Sequence, residues 1–155
     1  MAEPNARATG GTLELISFEI AGQEFCIDID AVREIRGWTR ETQMPQTPDY
    51  VRGVINLRGL VMPVIDLCNR LGLGQTTPSS RHVIVVVQHG DKVAGLLVDA
   101  VDETFVVEVS SLQTPPVMDV SSGPLFVDAI IPLEGRMLSR LVVDALMPAQ
   151  DSLAA

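Results

Sequence analysis

The sequence predicts a mainly β protein built from two small β-barrels packed together, with a few short helices. Short apolar segments recur at regular spacing and are separated by turn residues, which is typical of small barrels. The apolar content comes mainly from Val, Leu, Ile and Ala, and β-branched residues favour strands. The hairpin–loop–hairpin pattern of the first half of the chain returns in the second half.

The first barrel is predicted to begin with a hairpin. Residues 1–12 are small and polar and are expected to be a disordered tail ahead of a domain at 13–148. Apolar and polar residues then alternate on both sides of Ala21–Gln23, which indicates two strands joined by a turn. An Asp, apolar residues at helical spacing and a closing Gly predict a single short helix or turn over 30–37.

A second hairpin completes the first half of the chain. Val51–Leu57 and Leu60–Ile65 are predicted strands joined at Arg58–Gly59. Pro63 cannot donate a backbone hydrogen bond, so it suggests an edge or a bulge in the returning strand. Asp66 is placed to cap a short helix.

The polar linker 75–80 is the best internal boundary of the chain. It places the first barrel mainly at 13–74 and the second mainly at 81–147, and residues 149–155 are expected to form a C-terminal tail. The strands predicted for the second half are His82–Gln88, Val93–Val101, Phe105–Val109, Leu125–Ile131 and Met137–Val143.

Composition argues against several classes of function. The formal net charge is -9 and the basic residues are scattered, whereas nucleic-acid binding rests on clustered positive charge. No apolar run approaches the roughly 18 residues that cross a bilayer, so direct membrane insertion is not expected. Cys26 and Cys68 lack a paired spacing and are expected to be free buried thiols, with a disulfide as the alternative.

The residues form no recognisable catalytic set. His82 and His89 lie in no metal-ligand spacing, and neither a Gly-x-Ser-x-Gly turn nor a phosphate-binding loop occurs, so no cofactor is expected. Asp28 and Asp30 project from one face of a strand, either as a carboxylate pair or as the solvated face of the hairpin. The sequence therefore predicts a protein without enzymatic activity.

The hairpin around Arg58 is the most informative segment. Arg58 stands at the tip of a tight turn beside Gly59, where glycine permits a positive φ or the close approach of another chain. An arginine on a rigid tip suits a carboxylate or several carbonyls of a partner. It also suits an ordinary solvated turn, and the residues alone leave both interpretations open.

The order of several sequence blocks adds a family resemblance. Gly53-Val54-Ile55-Asn56-Leu57-Arg58-Gly59, followed by Pro63-Val64-Ile65-Asp66-Leu67, resembles the signature of the chemotaxis coupling protein CheW family. The same family includes homologous domains in the kinase CheA and in CheV. Three more blocks resemble family segments in the expected order, and the resemblance runs from about Leu13 to Met147. These blocks are Glu34–Gly37, Val93–Val101 and Gly135–Leu138.

The resemblance implies a fold and a function. It implies two SH3-like five-stranded barrels in a non-catalytic adaptor that couples the cytoplasmic tip of chemoreceptors to the regulatory domain of the histidine kinase CheA. The protein is then expected to be cytoplasmic and recruited to membrane-bound receptor arrays. The positions that the resemblance associates with partner contact are Glu34, Gly53, Asn56, Arg58, Gly59, Gly95 and Val101.

Alternatives remain at this point. Glu34 could be a solvated helix residue, and Gly95 could mark a bulge. The whole protein could be a coupling paralogue in a non-flagellar chemosensory system, or a β-barrel that binds a small ligand. Predicted strand interiors rich in Val, Ile and Leu argue against the ligand-binding barrel, because such side chains fill small barrels.

Overall fold

Ten strands dominate the computed structural model, which describes residues 11–115 and 126–148. The strands are β1 (Thr12–Ile20), β2 (Gln23–Asp28), β3 (Val32–Gly37), β4 (Val51–Leu57), β5 (Leu60–Asp66), β6 (Val83–His89), β7 (Lys92–Val98), β8 (Ala100–Glu108), β9 (Val127–Leu133) and β10 (Arg136–Leu141). The helices are α1 (Leu67–Arg70) and α2 (Val143–Leu146), with 3-10 turns at Ile29–Ala31 and Val109–Ser111. The mainly β prediction is confirmed.

Parts of the sequence predictions lie outside the described residues. They are the tail predicted at 1–12, apart from its last two residues, the tail at 149–155 and Leu125 at the start of a predicted strand. In the part of the chain that the structure describes, no helix is long and apolar enough to span a membrane.

The strands form two five-stranded sheets. The first sheet has the order β8-β1-β2-β10-β9 and the second has the order β3-β6-β7-β5-β4. All neighbours are antiparallel except β2 with β10 and β5 with β7, which pair in parallel over short stretches. Each sheet therefore consists of one single strand and two hairpins in the same spatial arrangement.

Neither sheet closes into a barrel through a ladder of hydrogen bonds within the described residues. In each sheet, a single antiparallel bridge instead joins the segment that follows one outer strand to the opposite outer strand. Thr42, beyond β3, bridges Val54 on β4, and Gln113, beyond β8, bridges Ile130 on β9. We call the first of these closures, the Thr42–Val54 bridge between β3 and β4, the seam of the second sheet.

The strands are not divided between the sheets by sequence halves. The sequence analysis places one barrel at 13–74 and the other at 81–147, whereas β1 and β2 pair with β8 and β10 to form the first sheet. The second sheet takes its strands from 32–98. Hairpin patterns are local, so they do not reveal which hairpins pair across the chain.

Two local predictions are wrong. The short helix or turn predicted over 30–37 is a 3-10 turn only at Ile29–Ala31, and the rest of the segment is β3, because it pairs with β6 in the register Ile35↔Val85. The single strand predicted at Val93–Val101 is two strands in different sheets. Asp99 separates β7 from β8, and its N–H donates to the carbonyl of Glu19 across the junction (3.0 Å).

The predictions made for Pro63 on β5 and for the cap of α1 are confirmed in part. β5 is not an edge strand, since it lies between β4 and β7, but its pairing with β4 has the register shift of a bulge between Val51 and Gly53, next to the Val54–Pro63 pair. Pairing with β7 covers only Val64–Asp66, so Pro63 precedes the shared ladder and withholds no hydrogen bond from it. The Asp66 cap is confirmed, because its carboxylate accepts from the N–H of Asn69 (3.4 Å).

The largest apolar core lies between the two sheets. It joins fully buried side chains of the first sheet, such as Phe18 and Ile20, to those of the second, such as Val85 and Leu96. A smaller cluster fills the interior of the second sheet. Cys26 and Cys68 are both buried free thiols, as the sequence analysis expects.

Candidate functional site

The tip of the β4–β5 hairpin is a rigid turn. Leu57 pairs with Leu60, so Arg58 and Gly59 form a turn of two residues, with φ of 52° and 87°. Both values are positive, as in the type I′ turns that suit the twist of β-hairpins. The side-chain carbonyl of Asn56 accepts from the N–H of Gly59 (2.9 Å) and holds the turn in this shape.

The turn presents Arg58 to Glu34. Arg58 donates from Nη2 to Glu34 Oε1, although the two residues are 24 positions apart. Glu34 lies on β3, and its other carboxylate oxygen is 3.8 Å from Arg36 Nη1. The side chain of Arg58 is 74% exposed and that of Glu34 is 26% exposed, so the arginine keeps free donors towards solvent.

This ion pair spans the open side of the second sheet. β3 and β4 are the two outer strands of that sheet. The ion pair links Glu34 on β3 to Arg58 in the turn that follows β4. The structure thus brings together two residues that the sequence analysis selected separately. Asn56 and Gly59 belong to the same tip.

Gly53 lies beneath the tip, at the seam. A Cβ added at Gly53 would be 2.3 Å from the carbonyl oxygen of Thr42. That carbonyl accepts from the N–H of Val54 (2.8 Å), and the N–H of Thr42 donates to the carbonyl of Val54 (2.9 Å). Gly53 is buried, and its absent side chain is what permits the seam to form.

The remaining two predicted positions are set apart from the tip. Gly95 is buried on β7, where an added Cβ would be 2.7 Å from Cγ2 of Ile84. Val101 is half-buried on β8 of the other sheet, where it pairs with Phe18 and packs against the core between the sheets. The two residues lie on β7 and β8, away from the turn that carries Arg58.

A buried carboxylate that sequence reasoning missed supports the seam. Glu41 is only 4% exposed, and its Oε2 accepts from Trp38 Nε1 and from Arg52 Nε, both at 2.9 Å. These bonds tie the loop after β3 to β4. No spacing rule marks an acidic loop residue as buried, so only the folded structure reveals this role.

Exposed apolar residues follow Glu34 and Arg58 closely in the sequence. Ile35 is 44% exposed between Glu34 and Arg36, and Val61 is 59% exposed just after the turn. A groove of about 250 Å³ lies on one side of the hairpin, lined by seven apolar residues and by the charged pair Asp91 and Lys92; the apolar ones are Leu60, Val61, Pro63, Val93, Ala94, Met147 and Pro148. Exposed apolar side chains around a fixed arginine are typical of a protein-contact surface. Across residues 11–115 and 126–148, no group of three or more His, Cys, Asp or Glu could hold a metal ion.

Comparison with known proteins gives consistent matches along nearly the whole chain. A family model described as "CheW-like domain" matches residues 14–151. The chemotaxis protein CheW of Rhizobium meliloti is 45% identical over 95% of this chain and 95% of that protein. A probable chemotaxis protein CheW of Rhizobium etli is 46% identical over 94% of each chain. The crystal structure of the scaffolding protein TtCheW from Thermoanaerobacter tengcongensis matches with a TM-score of 0.79 and 31% identity, over 89% of this chain and 94% of that one.

Proposed function

The chain belongs to the CheW family, the non-catalytic scaffold proteins of chemotaxis signalling, and from this premise we propose which partners it joins. It couples the cytoplasmic tip of chemoreceptors to the regulatory domain of the histidine kinase CheA. The tip of the β4–β5 hairpin, with Arg58 and Glu34, lies in one of the two contact surfaces. The protein reaches membrane-bound receptor arrays through these partners.

The pairing of Arg58 with Glu34 is the observation that supports this proposal. An exposed ion pair contributes only about 0–1 kcal/mol to the stability of a fold. Stability alone is therefore a weak reason for an arginine at a positive φ, which is an uncommon conformation for a non-glycine residue. A contact role accounts for it better, because the turn and Glu34 hold the guanidinium in place before any partner arrives.

Rigidity at the tip lowers the cost of binding. Immobilising a flexible side chain at an interface costs about 0.5–1.5 kcal/mol, and Arg58 is already restrained by its turn and by Glu34. Its remaining donors can reach a carboxylate or backbone carbonyls of a partner. Val61, which follows the hairpin turn by two residues and is 59% exposed, supplies apolar area that a partner can cover.

Modest affinities suffice for a scaffold of this kind. A protein that holds two partners at once raises the effective concentration of one near the other, so assemblies form from individually weak contacts. We therefore expect a single substitution at the tip to weaken the pairwise contact that it touches and, with it, the assembly that depends on that contact.

The test compares binding of Arg58→Ala with that of wild type and of Arg81→Ala, an exposed arginine in the linker before β6. Arg58→Ala should fold normally and bind less to receptor-containing membranes, to CheA or to both, by about fivefold or more. Co-sedimentation and pull-down measure the two contacts separately. Wild-type binding of Arg58→Ala in both assays would contradict the proposed site.

A charge exchange separates a contact role from an internal one. The double variant Glu34→Arg, Arg58→Glu keeps an ion pair at the same place with the charges reversed. If the pair serves only the fold, this variant should bind like wild type. We expect it to bind as poorly as Arg58→Ala, because the charge presented to the partner is then inverted.

A further inference from the structure

Arg70, the last residue of α1, reaches from the second sheet to α2. Its Nη2 donates to the carbonyl of Ala145 (2.9 Å) and its Nε to the carbonyl of Leu146 (3.2 Å). These carbonyls belong to the end of α2, where a helix leaves its last C=O groups without partners. The arginine therefore completes a helix that follows the last strand of the first sheet.

Two aromatic rings enclose the same guanidinium. Its Cζ lies 4.0 Å from the ring centroid of Tyr50 and 4.9 Å from that of Phe126. Both distances lie within the roughly 6 Å over which a cation is attracted to a ring face. Tyr50 directly precedes β4 of the second sheet, and Phe126 directly precedes β9 of the first.

Backbone bonds anchor each ring to its own sheet. The carbonyl of Tyr50 accepts from the N–H of Asp66 at the end of β5 (2.7 Å). The carbonyl of Phe126 accepts from the N–H of Val142, just after β10 (2.7 Å). The side chain of Arg70 thus contacts α2 and Phe126, which belong with the first sheet, and Tyr50, which belongs with the second.

Only arginine meets these demands together. Its planar fork donates in fixed directions while its two faces stack on aromatic rings. A lysine ammonium is a compact point charge that cannot bridge two carbonyls and two rings in this geometry. The apolar core between the sheets is extensive, but apolar contact is non-directional and packed layers can slide over one another.

We propose that Arg70 is a positioning residue that fixes the orientation of the first sheet relative to the second. In a scaffold that joins two partners, this orientation sets the geometry in which the partners are held. That consequence rests on the proposed function above, whereas the orientation itself can be measured in the isolated protein.

The first test measures a distance between the sheets. Spin labels are attached at Val61→Cys on β5 and Val106→Cys on β8, which are 59% and 61% exposed. The native thiols should stay unlabelled, because both are buried and burial raises the pKa of each, that of Cys26 to about 12. Double electron–electron resonance then gives the distribution of distances in Arg70→Met, Arg70→Lys and the control Arg81→Met.

We expect a single narrow distance in wild type and in the control, and a second, displaced population in both Arg70 variants. Two variants of Tyr50 give an independent comparison. Tyr50→Phe keeps the aromatic face and should give the wild-type distance distribution, whereas Tyr50→Leu should broaden it. This pair stays informative if Arg70→Met fails to fold. Distributions in Arg70→Lys and Tyr50→Leu that equal wild type would overturn the proposal.

The second test separates positioning from simple stability. Arg70→Lys should bind receptor-containing membranes and CheA, each alone, within about twofold of wild type, yet lower kinase activation in the three-component assembly by about tenfold. Unchanged activation overturns the positioning role, and so does a loss of both pairwise affinities that parallels a loss of thermal stability. Failure of the Arg58 proposal would appear in the binding and kinase assays of Arg58→Ala and would leave the spin-label distances unaffected.

Discussion

Gly53→Ala is the substitution for which the structure gives the most definite cost. The new Cβ would lie 2.3 Å from the carbonyl oxygen of Thr42 and 2.8 Å from its carbonyl carbon. These are backbone atoms, so they cannot turn aside as the end of a side chain could. Relief requires Thr42 to move away from Val54, which breaks the two hydrogen bonds of the seam.

The cost can be added from its parts. Two backbone hydrogen bonds contribute about 0.5–1.5 kcal/mol each. The φ of +154° at Gly53 lies in a region that is strained for alanine, which adds about 1–3 kcal/mol. We expect Gly53→Ala to lower the free energy of unfolding by about 4 kcal/mol and the Tm by about 8–16 °C.

Urea denaturation of Gly53→Ala and Gly135→Ala tests this reasoning. Gly135 also has a positive φ, +80°, but a Cβ there would have no atom within 4 Å. Its alanine variant should therefore lose only about 1 kcal/mol for the left-handed conformation. Equal losses in the two variants would refute the argument, since they would show that the contact with Thr42 adds nothing.

Two further predictions concern the first sheet. Burial raises the pKa of the Cys26 thiol from 9.0 to about 12. As pH rises, the thiol therefore loses its proton in the unfolded chain before it does so in the folded protein. The free energy of unfolding should fall between about pH 9 and pH 12, by up to about 1.4 kcal/mol per pH unit. Cys26→Ala should remove that part of the dependence in denaturation curves taken at several pH values, and parallel curves for the two proteins would contradict it. Arg140 donates to both carboxylate oxygens of Asp28 (2.9 and 2.8 Å), where β10 and β2 share a very short parallel ladder. Arg140→Ala should therefore lower the free energy of unfolding in urea by about 1–3 kcal/mol. Arg81→Ala is the matched control, and the same midpoint for both variants would show that the ion pair does not join the strands.

Local chemistry in the sequence was enough to predict most of the strands and one helix. The β4–β5 hairpin is found as expected, since alternating apolar residues around a tight turn determine it without help from the rest of the chain. Asp66 caps α1 for the same local reason. The segment after Asp30 is different, because its helical spacing is overridden by pairing with β6.

Contacts between distant residues could not be predicted. The division of strands between the sheets depends on pairings such as β1 with β8, which no hairpin pattern encodes. The sequence analysis selected Arg58 and Glu34 through a family resemblance, but their separation of 24 residues gives no physical reason to expect an ion pair. The buried contacts of Gly53 and Gly95 depend on the packed structure in the same way.

Kinase activation in a reconstituted system tests whether this protein couples receptor to kinase through Arg58. Receptor-containing membranes and CheA are held constant while this protein or Arg58→Ala is titrated in, and phosphorylation of CheA is measured. Wild type should raise kinase activity with increasing concentration, and Arg58→Ala should require several-fold more protein for the same rise. No rise with wild type, or one curve shared by both proteins, would contradict the proposed coupling through this hairpin.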